Sequence, residues 1–182
     1  MVQLYNALKA SYKPTDKLGK KGQYVKDKEL SNDNEQVYYN KKKKKLLYSV
    51  SGTHNLKDWG TDLYLGLGHL KDTNRYKEAD EVLKKAKEKY HPRKTVGVGH
   101  SLGGSIVGYL PVDKSTTLDK GATLFQPTQQ NEKAYRTKGD VVSMFGTGIK
   151  TLKNPNIKTG ILPIDALKSH NVENIKRSNI FV

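Results

Sequence analysis

The segment from Lys94 to Leu110 constrains the fold more than any other part of the chain. Lys94-Thr95-Val96-Gly97-Val98 reads as a short strand, Gly99-His100-Ser101-Leu102-Gly103-Gly104 as a tight turn, and Ser105 to Leu110 as an apolar helical stretch. The turn matches G-x-S-x-G, in which the serine occupies a strained turn while the neighbouring chain packs too close for a Cβ at the glycines. The pentapeptide alone is a middling signal. Its setting, with a β-branched strand before it and an apolar helix after it, is what the motif requires mechanically.

The flanking sequence fits a sheet covered on both faces. Leu4, Leu8 and Ser11 with Tyr5 predict an N-terminal amphipathic helix, and Tyr76 to Tyr90 a longer one with Ala79, Val82, Leu83, Ala86 and Tyr90 on its packed face. Gln36 to Tyr39 and Leu46 to Ser51 are rich in β-formers and predict a hairpin with Lys41 to Lys45 at its tip, which reads best as a solvated turn. Thr15 to Asn34 reads mainly as loop, with a brief strand at Gln23-Tyr24-Val25. Trp59, Leu63 and Leu67 predict a helix, and Ala122 to Phe125 and Lys133 to Arg136 further strands. Strands alternating with helices imply one α/β domain over residues 1–182, built on a mostly parallel central sheet flanked by helices.

A serine hydroxyl is a weak nucleophile at neutral pH and needs a base, which in turn needs an acid to fix its tautomer. The histidines are His54, His69, His91, His100 and His170. His100 lies inside the turn, where its side chain is expected to point away from that of Ser101. Only His170 follows the serine, as the order Ser, acid, His requires. Between them lie Asp113, Asp119, Glu132, Asp140 and Asp165. Asp140 is best placed, because it follows a predicted strand and a glycine, whereas Asp165 is close to His170 in sequence. Ser101, His170 and Asp140 are therefore the candidate nucleophile, base and acid. The backbone N–H of Leu102 and the backbone N–H and hydroxyl of Thr53, which follows a strand end at Ser51-Gly52, are the candidate oxyanion donors.

Other chemistries find no support in the sequence. Without cysteine there is no disulfide framework and no thiolate metal site. No histidine pair has metal-binding spacing, and Gly97-x-Gly99 lacks the third glycine of a dinucleotide fingerprint, so no metal and no cofactor are expected. The N-terminus lacks the basic-then-apolar pattern of a signal peptide, and no apolar run approaches the roughly 20 residues of a membrane span, so the chain is expected to be soluble. Lys+Arg exceed Asp+Glu by 33 to 18, a net charge of +15 that attracts polyanions or an anionic membrane surface. Arginine, the residue suited to bidentate base and phosphate contacts, is scarce beside lysine, so no sequence-specific nucleic-acid recognition is expected.

In order along the chain, Gly52-Thr53, Asp58-Trp59 with Asp62-Leu63, Gly99 to Gly104, Gly139-Asp140-Val141-Val142 and Ser169-His170-Asn171 resemble the class 3 (fungal-type) lipases over roughly residues 37–175. The resemblance implies an α/β-hydrolase fold. It also implies a triad of Ser101, Asp140 and His170, an oxyanion hole from Thr53 and Leu102, and a lipid ester substrate, acylglycerol or phospholipid. Two departures stand out. Ser51 takes the place of the arginine usual before Gly-Thr, and the short chain leaves room at residues 66–76 only for a small flap, so the lid is reduced or absent. The competing expectation is a hydrolase-fold module of little or no activity that binds anionic membranes or other polyanions through its basic surface.

Overall fold

The computed structural model describes residues 1–53, 69–121, 127–140, 142–143, 147–152 and 169–182. The expected Trp59 helix, the strand at 122–125, His54, Asp165 and the start of the expected flap, residues 66–68, lie outside these residues.

Eight strands form one mixed sheet in chain order: β1 (Lys17–Leu18), β2 (Tyr24–Lys26), β3 (Glu35–Asn40), β4 (Lys45–Val50), β5 (Lys94–His100), β6 (Lys114–Leu118), β7 (Glu132–Thr137) and β8 (Lys150–Leu152). β1 to β4 pair antiparallel, and β4 to β8 pair parallel. The β3–β4 hairpin matches the expectation, with Val37 opposite Tyr48 and Asn40 opposite Lys45. The brief strand expected at Gln23-Tyr24-Val25 appears as β2, whereas β1 extends the sheet edge where the lysine-rich composition reads as loop. β6 was equally unreadable, because Ser115-Thr116-Thr117 is polar yet buried between β5 and β7.

Side-chain alternation along the strands sorts the core into two layers. Tyr38, Leu47, Val96, Val98 and Leu118 face helix α1 (Leu4–Tyr12), whose Leu4, Ala7 and Leu8 are fully buried. Val37, Leu46, Tyr48 and Val50 face helices α2 (Asn74–Tyr90) and α3 (Leu102–Tyr109). The α2 helix starts at Thr73, whose side chain accepts the Tyr76 N–H, and stops at His91, which is left-handed at φ 39° and precedes Pro92. Its Ala79, Leu83 and Ala86 are buried as their spacing predicts.

Glycines let α3 lie almost on the backbone of the sheet. A Cβ on Gly99 would come within 2.2 Å of the Gly103 carbonyl oxygen, and one on Gly103 within 2.3 Å of the Val50 carbonyl oxygen. These neighbours are backbone atoms and cannot rotate away, so any larger residue would push the helix off β4 and β5. No helix among the described residues is long and apolar enough to cross a membrane.

Candidate active site

Because β4 to β7 run parallel, their carboxyl ends lie along one edge of the sheet. That edge carries Gly52-Thr53 after β4, Ser101 after β5, Asp119 after β6 and Asp140 after β7. Ser101 joins β5 to α3 with φ 56° and ψ −128°, a backbone region that disfavours any residue with a Cβ. Such strain persists only where the surrounding structure over-determines it. Here Ser101 N–H donates to Leu118 O at 3.1 Å, and Gly121 N–H donates to Ser101 O at 3.3 Å.

Ser101 and His170 line one cleft together with Thr53, His100 and Tyr12. His170 Nδ1 lies 2.8 Å from Asp140 Oδ1, and both side chains are buried. The other oxygen, Asp140 Oδ2, accepts from Ser143 N–H at 3.0 Å and from Ser143 Oγ–H at 2.5 Å. A carboxylate so fixed accepts a hydrogen bond from the Nδ1–H of His170, which holds the proton on Nδ1 and leaves Nε2 as the basic nitrogen. The loop bearing His170 is braced by the 3-10 turn at Val172–Ile175. Val172 and Ile175 of that turn pack on α1, and Tyr5 Oη–H donates to Glu173 at 2.8 Å.

The two expected oxyanion donors fall near Ser101. Leu102 opens α3, so its N–H is a first-turn donor without an intrahelical acceptor. Gly52 abuts the serine so closely that a Cβ there would come within 2.8 Å of Ser101 Cβ, and Thr53 follows it on the wall of the cleft. Gly52 N–H donates to Tyr12 Oη at 2.9 Å, and Tyr12 Oη lies 2.8 Å from His100 Nδ1. Burial pushes the Tyr12 phenol up to about 12, against the opposing Gly52 N–H, so it is neutral at physiological pH.

His100 departs from expectation. Its ring faces the same cleft as Ser101 and lies 4.7 Å from that of His170, because the positive φ at Ser101 breaks the strand alternation at that residue. Burial, reinforced by His170, holds the His100 imidazole well below its ordinary value and keeps it neutral. Among the other histidines, His69 is exposed beside Asp72, and His91 ends α2.

Three participants were not legible in the sequence: Tyr12, Asp119 and Arg75. Asp119 is fully buried at φ 47° and accepts from Thr137 N–H at 2.6 Å and from Thr137 Oγ1–H at 3.0 Å. Burial pushes its carboxyl up to about 7, with Asp140 adding to the rise and His170 and Thr137 opposing it. Arg75, on α2, donates to the Ser51 carbonyl at 3.0 Å and to Glu35 Oε1 at 3.2 Å, fixing the chain just ahead of Gly52-Thr53. An arginine distant in sequence thus reaches the strand end where Ser51 replaces the expected one.

Glu35 is fully buried, and burial raises its carboxyl while Arg75 opposes the rise. Arg75→Ala would strand that carboxylate and should destabilise the fold by about 3 kcal/mol at pH 7. A carboxyl raised by folding binds its proton more tightly when folded, so its contribution is fully present below the ordinary carboxylate value and is lost as pH rises through the folded value. With Arg75 gone the rise is larger, and the deficit of the variant should shrink in acid. Urea unfolding of both proteins at pH 4.5 and 7.5 checks this; a deficit independent of pH would contradict it.

No family model and no curated protein matches this sequence. Among solved structures, the Lip2 lipase from Yarrowia lipolytica is similar with a TM-score of 0.52 and 16% sequence identity, over 75% of this chain and 73% of that one. At that identity the likeness is one of fold: a mostly parallel mixed sheet with flanking helices, as in a lipase.

Proposed function

We propose that this chain is a serine hydrolase of carboxylic esters whose substrates are lipid esters, acylglycerols or phospholipids. The observation that carries the reading is the 2.8 Å contact between His170 Nδ1 and Asp140 Oδ1 in a cleft that also holds Ser101 on its strained turn. Ser101 Oγ attacks the ester carbonyl as His170 Nε2 takes its proton, and the developing oxyanion is held by the N–H groups of Leu102 and Thr53. His170 then gives that proton to the departing alkoxide, leaving an acyl group on Ser101. A water deprotonated by the same nitrogen attacks the acyl carbonyl and releases the acid, and the proton returns to Ser101. The lipid class draws support from the likeness of fold to a lipase.

The test is turnover of a short and a long p-nitrophenyl ester, followed by emulsified triacylglycerol and phospholipid vesicles, with labelling by a fluorophosphonate as a second readout. Hydrolysis together with labelling at Ser101 is expected. Neither turnover nor labelling would overturn the reading in favour of a binding module.

An anionic membrane is proposed as the surface on which the substrate is met, and the geometry limits which lysines can serve it. β4 starts at Lys45 beside Lys94 and ends at Val50 beside Gly99. Six strand residues at about 3.3 Å each separate the hairpin lysines from the cleft by about 20 Å. Lys41 to Lys44 therefore sit at the pole opposite Ser101, whereas Lys9 and Lys13 line the cleft itself. Lys13→Glu should lower turnover on anionic vesicles several-fold at low salt, with the difference fading near 0.5 M salt as screening shortens. Replacing Lys41 to Lys44 together by serine should leave that turnover within about two-fold of the parent. A larger loss from the hairpin variant than from Lys13→Glu would reverse the assignment.

A further inference from the structure

Beside the cleft the fold gathers three side chains that sequence spacing keeps far apart: His100 at the end of β5, Asp119 beyond β6, and His170. One ring nitrogen of each histidine and a carboxylate oxygen of Asp119 lie within 4.8 Å of one another, and all three residues are buried. Proximity alone would mean little. Two further observations point to a ligand.

The first is His100 Nε2, which is buried and has no hydrogen-bond partner among the described residues although Nδ1 is held by Tyr12. In either tautomer a buried nitrogen is left unpaired among the described residues, which native interiors avoid. The second is the way each group is held from behind. Asp140 lies on His170 Nδ1 and Tyr12 Oη on His100 Nδ1, both at 2.8 Å, while the N–H and hydroxyl of Thr137 hold Asp119. Metal ligands are oriented in this manner, the far nitrogen of each imidazole being tied so that the near one faces the ion.

We propose that His100, Asp119 and His170 form a site for a divalent transition metal, Zn²⁺ foremost, and that a metal bound there switches off chemistry at Ser101. Two imidazoles and one carboxylate suit Zn²⁺ and disfavour Mg²⁺ or Ca²⁺, which take oxygen ligands. Coordination uses the Nε2 lone pairs, so both imidazoles carry their proton on Nδ1 and donate it to Asp140 and to Tyr12 Oη. No electron is transferred. Metal–ligand distances of about 2.0–2.2 Å require the three atoms to draw together by roughly 1 Å, within reach of small side-chain rotations. The lone pair of His170 Nε2 cannot hold the metal and accept the Ser101 proton at once, so the two states exclude each other. Binding itself does not depend on the hydrolase reading; its inhibitory consequence does.

The binding test uses both the parent and Ser101→Ala proteins, titrated with Zn²⁺ by calorimetry and with Co²⁺ by visible absorption. One ion per chain is expected in both, with affinity reduced at least about ten-fold by Asp119→Asn and by His100→Gln. His69→Ala, which removes the exposed His69–Asp72 pair, should bind as the parent does. In the parent, Zn²⁺ should block fluorophosphonate labelling of Ser101, and EDTA should restore it. Imidazole nitrogen NMR of the parent gives a readout that needs no variant to fold: Zn²⁺ should move the Nε2 signals of His100 and His170. Binding unaffected by both ligand substitutions, Nε2 signals that stay in place, or no binding tighter than about 100 µM would overturn the site. Binding without any turnover or labelling in metal-free protein would leave the site standing and remove the hydrolase.

Discussion

Ser101→Ala should lower ester turnover by at least about 1,000-fold, with KM little changed and fluorophosphonate labelling lost. The size of the loss follows from the division of labour in the cleft. The oxyanion donors and the binding walls remain, but no acyl group can form on the chain, and water must attack without a covalent intermediate. Ser101→Gly should be equally inactive, and it carries a second readout. The serine sits at φ 56° and ψ −128°, which costs about 1–3 kcal/mol for a residue with a Cβ. Glycine relieves that strain but adds freedom to the unfolded chain, about 0.4–1 kcal/mol in the other direction. A net stabilisation of about 1 kcal/mol over the parent is expected for the glycine variant, with none for alanine. Chemical denaturation of the three proteins measures it. A glycine variant less stable than the parent would show that the turn is not strained, and an alanine variant that keeps turning over ester would remove Ser101 from the mechanism.

Asp140→Asn should reduce kcat by about 10,000-fold at neutral pH while leaving the fold intact. The direction follows from the neighbours of the carboxylate. Ser143 donates its N–H and its hydroxyl to Asp140 Oδ2, so an asparagine would keep its carbonyl oxygen there and turn its amide NH₂ toward His170. Facing a donor, His170 Nδ1 must accept, which moves the ring proton to Nε2 and removes the base that Ser101 needs. Asp119 follows a different strand, where Thr137 donates its N–H and its hydroxyl to the two carboxylate oxygens, while His170 Nδ1 is directed at residue 140. Steady-state kinetics of Asp140→Asn beside Asp119→Asn distinguish the two carboxylates. If Asp119→Asn caused the larger loss, the acid would have been assigned to the wrong strand.

The sequence made the elements nearest the nucleophile legible because their physics is local. A β-branched run, a glycine-framed serine and an apolar helix sit within one short segment, and Ala79, Leu83 and Ala86 recur at helical spacing whatever lies beyond them. Chain order singled out His170, and a strand followed by a glycine pointed to Asp140. β6 escaped because its threonines look solvent-facing in a linear reading. They are buried only because β5 and β7 flank them and Glu132 accepts the Thr117 hydroxyl at 2.7 Å.

Relations across the sheet were decided by tertiary structure alone. Nothing in the chain near Tyr12 says that its hydroxyl will meet both Gly52 N–H and His100 Nδ1, nor that Arg75 will reach the Ser51 carbonyl. Asp119 was one carboxylate among five between Ser101 and His170, and its burial beside two imidazoles depends on β6 lying between β5 and β7. Residue type and local pattern thus determined which groups can react and on which elements they sit. Parallel strand pairing, which brings distant carboxyl ends to one edge, decided which of those groups share a low-dielectric site and so act on one another.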